Sequence, residues 1–345
     1  MGRRTWILVV GLLVMLPVAD AVLWHIAVGR LEAGYTAWAA RAKADGWIVT
    51  RSRAFAGGWP WAATIQLHDV TVSGGESLAP GGLVWRAPDV LLRIPLLRPR
   101  SLEIEALGDQ GLRAGTMPEA ILTGSRLLAV ASQALDNEPH DLEILADRPQ
   151  LTSGPGWALS AGQVRLHVQM PPVVRTGDAA TGFSFSANAV VLPALVRWPL
   201  GETIAQLAFD GTIEGPIPAA QLPMPWATEW RDGGGSLQVQ NLTLAWGPLS
   251  LTASATLALD DQLQPMGAGT SRITGYAATL DALAASGALS RSAATAAKAV
   301  LSLLAGTPGD GDAADVDVPL TLQYRTLSMR QVPLLRLPEV EWPGQ

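Results

Sequence analysis

The first apolar positions of the chain form a nearly unbroken block: Trp6 to Ala19, then Ala21 to Trp24, with Asp20 between them. Trp6 to Trp24 is 19 residues, about 28 Å of helix at ~1.5 Å per residue, close to the thickness of a hydrocarbon core. A tryptophan at each end suits the two bilayer interfaces, and Arg3 and Arg4 hold the amino terminus inside by the positive-inside rule. The same stretch also fits a cleaved signal peptide, with a basic start, a short apolar core and the small-residue pattern Ala19-Asp20-Ala21. The length and the paired tryptophans make the anchor the leading reading, with Asp20 near the outer interface, where a carboxylate reaches water. Beyond the block, Leu23, Ile26, Ala27, Leu31, Tyr35, Trp38, Ala39 and Ala42 recur at helical spacing, and Asp45-Gly46 supplies a stop. One helix is expected from about Thr5 to Ala44, its outer half docked by this apolar stripe on the body of the chain.

From Trp47 the period falls from about 3.6 to 2. Ala63/Ile65/Leu67, Leu102/Ile104/Ala106, Leu142/Ile144/Ala146 and Val164/Leu166/Val168/Met170 alternate with polar neighbours. So do Phe183/Phe185/Ala187/Ala189/Val191, Leu207/Phe209/Gly211/Ile213, Leu242/Leu244/Trp246, Leu249 to Leu259 and Val316 to Tyr324. Such runs, divided by Gly, Pro, Asn and Asp, predict half-buried strands in an antiparallel meander and not alternating βαβ units. Two stretches break the pattern: Pro218 to Arg231, and the alanine-rich Ala277 to Leu304, long enough for one or two helices with Gly287 as the interruption. The expected fold is mainly β with added helices (α+β): an N-terminal transmembrane helix, a large curved, groove-like antiparallel sheet, and a helical segment near 277–304. The expected division is an anchor with its continuing helix over 1–46 and an exported β-rich body over 47–345.

Composition narrows the chemistry. Of 345 residues 16% are charged, against a usual ~25%. There is no cysteine, which removes disulfides, thiol nucleophiles and thiolate metal sites. A net charge of −6 with no Lys/Arg run leaves no footprint for a phosphate backbone, so no nucleic-acid partner is expected. The four histidines, His25, His68, His140 and His167, lie far apart and lack the i, i+4 spacing of a helical metal pair. Glu103 and Glu105 share one strand face, as do Asp315 and Asp317, and both pairs read as solvated edges, having no apolar setting to shift a pKa. Asp310 to Asp315 fails as a calcium loop because Ala314 replaces the third ligand and Asp315 the obligatory glycine. Gly309 to Ala314 fails as a dinucleotide loop because a helix precedes it and a strand follows. Asn241-Leu242-Thr243 is read as part of a strand and not as a glycosylation site. GxSxG, P-loop and HExxH signatures are absent, so no catalytic residue, metal or cofactor is assigned.

Several of these segments carry a resemblance. The basic start and apolar helix run into Gly46-Trp47-Ile48-Val49, the turn Gly57-Gly58-Trp59-Pro60-Trp61, the strand Ala63 to Leu67, then Trp85-Arg86-Ala87-Pro88-Asp89-Val90 and Arg98-Pro99. In this order they resemble the membrane-anchored bacterial domain-of-unknown-function family DUF2125. Leu257-Ala258-Leu259-Asp260 through Gln264-Pro265-Met266-Gly267 and Ile273-Thr274-Gly275 is similar to a strand-turn-strand unit of that family and of AsmA-like envelope proteins. Tyr324-Arg325-Thr326 departs from it, standing where an Asp-Gly type of turn is expected. The resemblance implies a β-rich body on the periplasmic side of the inner membrane and supplies no catalytic residues. Together with a continuous apolar sheet face it motivates a noncatalytic role: binding lipid or another envelope component in an apolar groove. Phe183, Phe185, Leu207 and Phe209 are the groove candidates, and Trp6, Trp24, Trp59 and Trp61 the membrane-interface candidates, although for Trp59 and Trp61, after Gly57-Gly58, capping of the sheet's open end is the favoured reading. The alternative is a noncatalytic structural or partner-binding scaffold whose sheet is fully packed.

Overall fold

A computed structural model describes residues 3–76, 81–133, 139–170, 179–215, 223–304, 316–329 and 332–342. The chain opens with helix α1 (Arg3–Ala44), whose side chains at residues 3–14 and 16 lie outside the description, so Trp6 is placed on the helix without its ring. Asp45-Gly46 ends the helix as expected. Gly46 takes φ 82°, its N–H donates to Lys43 C=O (3.2 Å), and the Trp47 N–H donates to Ala42 C=O (2.8 Å). This is the paired closure that satisfies the last carbonyls of a helix. Among the described residues no helix is long and apolar enough to cross a membrane.

The rest is one antiparallel sheet. The strands β1 (Ile48–Thr50) and β2 (Arg53–Gly57) both pair with β3 (Ala62–Gly74), and β3 pairs with β4 (Leu83–Pro95). The two halves of β4 meet β5 (Ser101–Leu107) and β6 (Gln110–Ala114). Next come β7 (Ala120–Thr123) with β8 (Arg126–Gln133), β9 (Pro139–Asp147) with β10 (Gln150–Ser153), and β11 (Ala158–Ser160) with β12 (Gln163–Gln169). The long β13 (Ala179–Val191) closes this series, pairing with both β11 and β12. A plain meander follows through β14 (Thr203–Glu214), β15 (Ser236–Trp246), β16 (Leu249–Leu259), β17 (Pro265–Thr274), β18 (Val316–Gln323), β19 (Thr326–Met329) and β20 (Val332–Arg336). Helix α2 (Pro223–Asp232) lies between β14 and β15, while α3 (Tyr276–Ala285) and α4 (Arg291–Leu304) lie between β17 and β18. Gly287, at φ 79°, falls between α3 and α4 where the break is expected.

Each doublet in the first half is a single long strand jogged once, and the jogs line up. Ser52 opposes the left-handed Asp69 (φ 51°), to which its hydroxyl donates (2.8 Å), and Asp69 falls opposite Pro88. The line continues through Gly108-Asp109, Gly124-Ser125, Arg148-Pro149 (Arg148 φ 49°), Ala161-Gly162 and Ala189 (φ 46°), and reaches the register slip at Ala205. Bulges bend a strand and strengthen its twist, so this row creases the sheet across nine consecutive strand positions. Backbone bonds close over it: Ser125 N–H donates to Asp147 C=O, Arg148 N–H to Gly162 C=O and Gly162 N–H to Asn188 C=O, all 2.9 Å.

Helices cover the sheet at its two ends. Leu31 packs with Ile65, Leu67, Val70, Ala87, Val90 and Leu92, with Tyr35 and Trp85 against the same cluster. Ala27, Val28 and Ala63 form a second cluster with Trp24 and Leu96. The docked stripe of α1 is therefore narrower than its apolar pattern: Leu23, Ile26 and Trp38 are 58%, 49% and 48% exposed. They lie off the line of Trp24, Ala27, Val28, Leu31 and Tyr35, which packs on the sheet. At the far end Val316, Val318 and Met329 pack with Ile273, Tyr276 and Leu301 under α3 and α4. The turn unit around Asp260 to Gly267 is an Asx turn, in which Asp260 Oδ1 accepts from the N–H groups of Gln262 (2.9 Å) and Gln264 (2.8 Å). Buried Gln264 then clips the C-terminal segment through both backbone groups of Val340 (3.1 and 2.9 Å).

Candidate functional site: an open apolar strip

Cross-strand register aligns apolar residues into a row along one sheet face. It runs Ile65–Leu92–Ile104–Ala129–Ile144–Leu166 and continues Phe185–Phe209–Leu242–Ala253 before Ser271 and Val318. Twelve strands at ~4.8 Å spacing make a row about 50 Å long. The one-residue bulges keep the apolar face continuous on the other side of the crease. On β3 the inward positions change from Ile65 and Leu67 to Val70 and Val72, and on β4 from Leu92 and Val90 to Ala87 and Trp85. On β13 the same slip overturns the expected single alternation: Val190 takes the half-buried place after Ala187, and Val191 turns out to 41% exposure. Without the slips, one side of the crease would present its apolar residues to the wrong face.

The other face is mostly polar and paired. Glu103 lies 3.8 Å from Arg93 and 3.7 Å from Arg98, and Glu105 lies 3.9 Å from Arg126. His167 stands 3.5 Å from Asp141, and Arg165 lies 3.6 Å from Glu143. Arg272 grips Asp317 with two bonds (2.9 and 3.2 Å), and that hydrogen bonding holds the Asp317 carboxyl below its ordinary range. Asn241 donates to Asp210 (3.3 Å) from within β15. Of the remaining histidines, His25 is exposed on α1, His68 touches Asp89, and His140 Nδ1 lies 3.1 Å from Met170 C=O. Among the described residues no three His, Asp or Glu side chains converge as a metal site. Asp315 and the segment 310–315 lie outside the described residues.

All four groove candidates fall on the apolar face, in its uncovered middle. Phe185 is the direct partner of Phe209, and Leu207 of Ala187. Phe183 stacks on Phe209 with ring centroids 5.1 Å apart and planes 21° from parallel. Gly211 makes the space beneath them: a Cβ there would meet Phe183 Cζ and Phe209 Cε1, each at 3.0 Å. The four are half-buried, and neighbouring Ile144 is 38% exposed. From β8 to β14 this strip measures about 20 Å across the strands. One residue missed from the sequence stands at the sheet's crease, outside the strip. Gln110, 1% exposed, follows Leu107 and Gly108, whose carbonyls its Nε2 reaches at 3.3 and 2.9 Å, while its Oε1 has no partner among the described residues. Nothing in the local pattern marks it, because the jog at Gly108 decides which way it points.

The interface tryptophans group differently. Trp24 Nε1 donates to Gly57 C=O (3.1 Å), tying α1 to the β2–β3 turn, and Trp59 and Trp61 stand out from that turn at 54% and 77% exposure. They are exposed and do not cap the sheet. Gly58 at φ 91° permits the reversal, since a Cβ there would sit 2.6 Å from Ala62 C=O.

These features define a class: an antiparallel-sheet protein creased along one line, apolar on one face, with its covering helices at the two ends. The chain belongs to the family described as "Uncharacterized protein conserved in bacteria (DUF2125)", whose model matches residues 24–338. The match begins at Trp24, the α1 residue hydrogen-bonded to the β2–β3 turn. Comparison with curated proteins finds no match.

Proposed function

We propose that this protein is held at the bacterial inner membrane by α1, with its sheet on the periplasmic side, and that the open strip binds lipid acyl chains in a noncatalytic role in envelope maintenance. The observation that carries the reading is the apolar sheet face that register keeps continuous across the crease, over which no described helix packs between α1 on β3–β4 and the helices on β16–β18. Large exposed apolar surface on a folded protein marks a binding face, and a strip of about 20 Å is long enough for an acyl chain of about 15 Å, half of a ~30 Å hydrocarbon core. The anchor rests on the sequence from Trp6 to Trp24 and on α1 continuing as one helix well beyond its last contact with the sheet.

Lipid mass spectrometry on full-length protein purified in mild detergent, alongside a thermal melt, tests the proposal. Phe185→Asp places a charge in the strip and Ser186→Asp places one on the opposite face, beside Arg165. The expected outcome is that Phe185→Asp folds with at least a threefold loss of copurifying lipid while Ser186→Asp keeps the wild-type content. Wild-type protein free of lipid, with Phe185→Asp failing to fold, establishes the packed scaffold instead. Amino-terminal sequencing that starts at Val22 replaces the anchor by a cleaved signal peptide.

A further inference from the structure

Where α1 leaves the sheet, apolar side chains from three segments stand in solvent together. Leu96 N–H donates to Trp61 C=O (3.1 Å), joining the β4–β5 turn to the β2–β3 turn, and Leu97 at the tip of the former is 92% exposed, more than any other large apolar residue described. Trp59 lines a cleft together with Val18, Val22, Trp24 and Ile26 of α1. The two turns therefore lie level with the point where the apolar run of α1 ends. They also carry cations: Arg98 and Arg100 follow Leu97, both exposed, and Arg98 shares the carboxylate of Glu103 with Arg93.

We propose that these two turns form a collar seated in the headgroup layer of an anionic phospholipid bilayer, with Trp59, Trp61 and Leu97 at the acyl boundary and Arg98 and Arg100 on lipid phosphates. Tryptophan, apolar on its body and polar at its N–H, concentrates at this depth. Arginine buries its stem and keeps its head among phosphates, and each cation near an anionic surface strengthens the attachment. A helix alone leaves the domain free to swivel at the surface. The Trp24–Gly57 bond and the Leu96–Trp61 bond make helix and collar one unit, so seating the collar fixes which end of the strands meets the bilayer. The collar takes its orientation from the proposed anchor, and the test reads the two separately.

The absence of native cysteine makes single labels clean. Met15→Cys, Trp61→Cys, Leu97→Cys and, as a reference, Met117→Cys are made in the full chain, carry an environment-sensitive fluorophore, and enter phosphatidylcholine–phosphatidylglycerol nanodiscs containing doxyl-labelled lipid. Met117, 68% exposed, lies beyond the opposite end of β4, roughly 40 Å from Leu97. The labels at 61 and 97 are expected to be quenched at least twofold more than that at 117, and Arg98→Glu with Arg100→Glu to reduce quenching at 97 in anionic but not in zwitterionic discs. Quenching at 61 and 97 equal to that at 117 overturns the collar, as does a blue shift without lipid quenching, which assigns the surface to a protein partner. Met15 reports the anchor alone: its quenching without that of 61 and 97 leaves the anchor standing and removes the collar, and the reverse pattern does the opposite.

Discussion

Ile65 and Phe185 occupy the same register row of one sheet face, six strands apart, yet Ile65 is 4% exposed and Phe185 only half-buried. The strands beneath them are alike in length and alternation. What differs is the third dimension: Leu31 and Tyr35 of α1 close over the first, while among the described residues nothing closes over the second. A sheet face is therefore core or binding surface according to what lies above it, and the same apolar alternation serves both.

Truncation separates the two regions most strongly. Leu31→Ala opens a cavity in a sealed cluster and should cost about 3 kcal/mol, whereas Phe185→Ala, already half in solvent, should cost about 1.5 kcal/mol. Urea denaturation of both variants checks this, and equal costs would erase the distinction. Gly211→Val probes the freedom of the strip itself, because the new methyls drive against the Phe183 and Phe209 rings. On an open face the rings swing outward and the loss stays near 1 kcal/mol, while a lidded face resists with about 3 kcal/mol. The smallest effect belongs to the polar face of the covered end. Arg272 lowers the pKa of Asp317 from its ordinary value of 3.8, mainly by hydrogen bonding, so the unfolded chain takes up that proton before the folded one does. The ion pair's contribution is complete above the unfolded value and disappears as the pH falls through the folded one. Asp317→Asn should lower the melting temperature slightly at neutral pH, and the gap to wild type should narrow below about pH 4. A gap that persists in acid assigns the effect to packing.

Much of the fold was legible because period 2 and period 3.6 are local signals. The strands from Ala63 onward, the Gly46 stop and the division of the alanine-rich segment at Gly287 can all be read from the chain. The crease was not. A bulge shifts the phase of alternation by one residue, and a single sequence pattern such as Phe183 to Val191 reads as regular whether or not it contains one. Pro88, Gly108, Gly124, Pro149 and Gly162 inside strands are usable markers, but Ala189 gives none, since only its neighbours' register forces φ 46°. The turn at Tyr324-Arg325 is similar: both residues take positive φ, 50° and 61°, as a two-residue hairpin requires, without the Asn-Gly that usually supplies it. Arg325 holds Glu339 of the C-terminal segment at 2.7 Å, a tertiary contact invisible in the triplet.

The candidate site divides in the same way. The sequence by itself determined which residues share a strand face, placing Phe183, Phe185, Leu207 and Phe209 on apolar positions, because side-chain direction follows from backbone period alone. It also determined where α1 stops, because Gly46 can adopt a conformation that costs other residues. Only the tertiary structure decided that the four side chains gather on one face over Gly211, that slips at Asp69, Pro88 and Ala189 keep that face continuous, and that α1, α3 and α4 cover its ends. Those outcomes depend on cross-strand register and helix docking, which bring together residues separated by tens to hundreds of positions, and no local pattern encodes such distances.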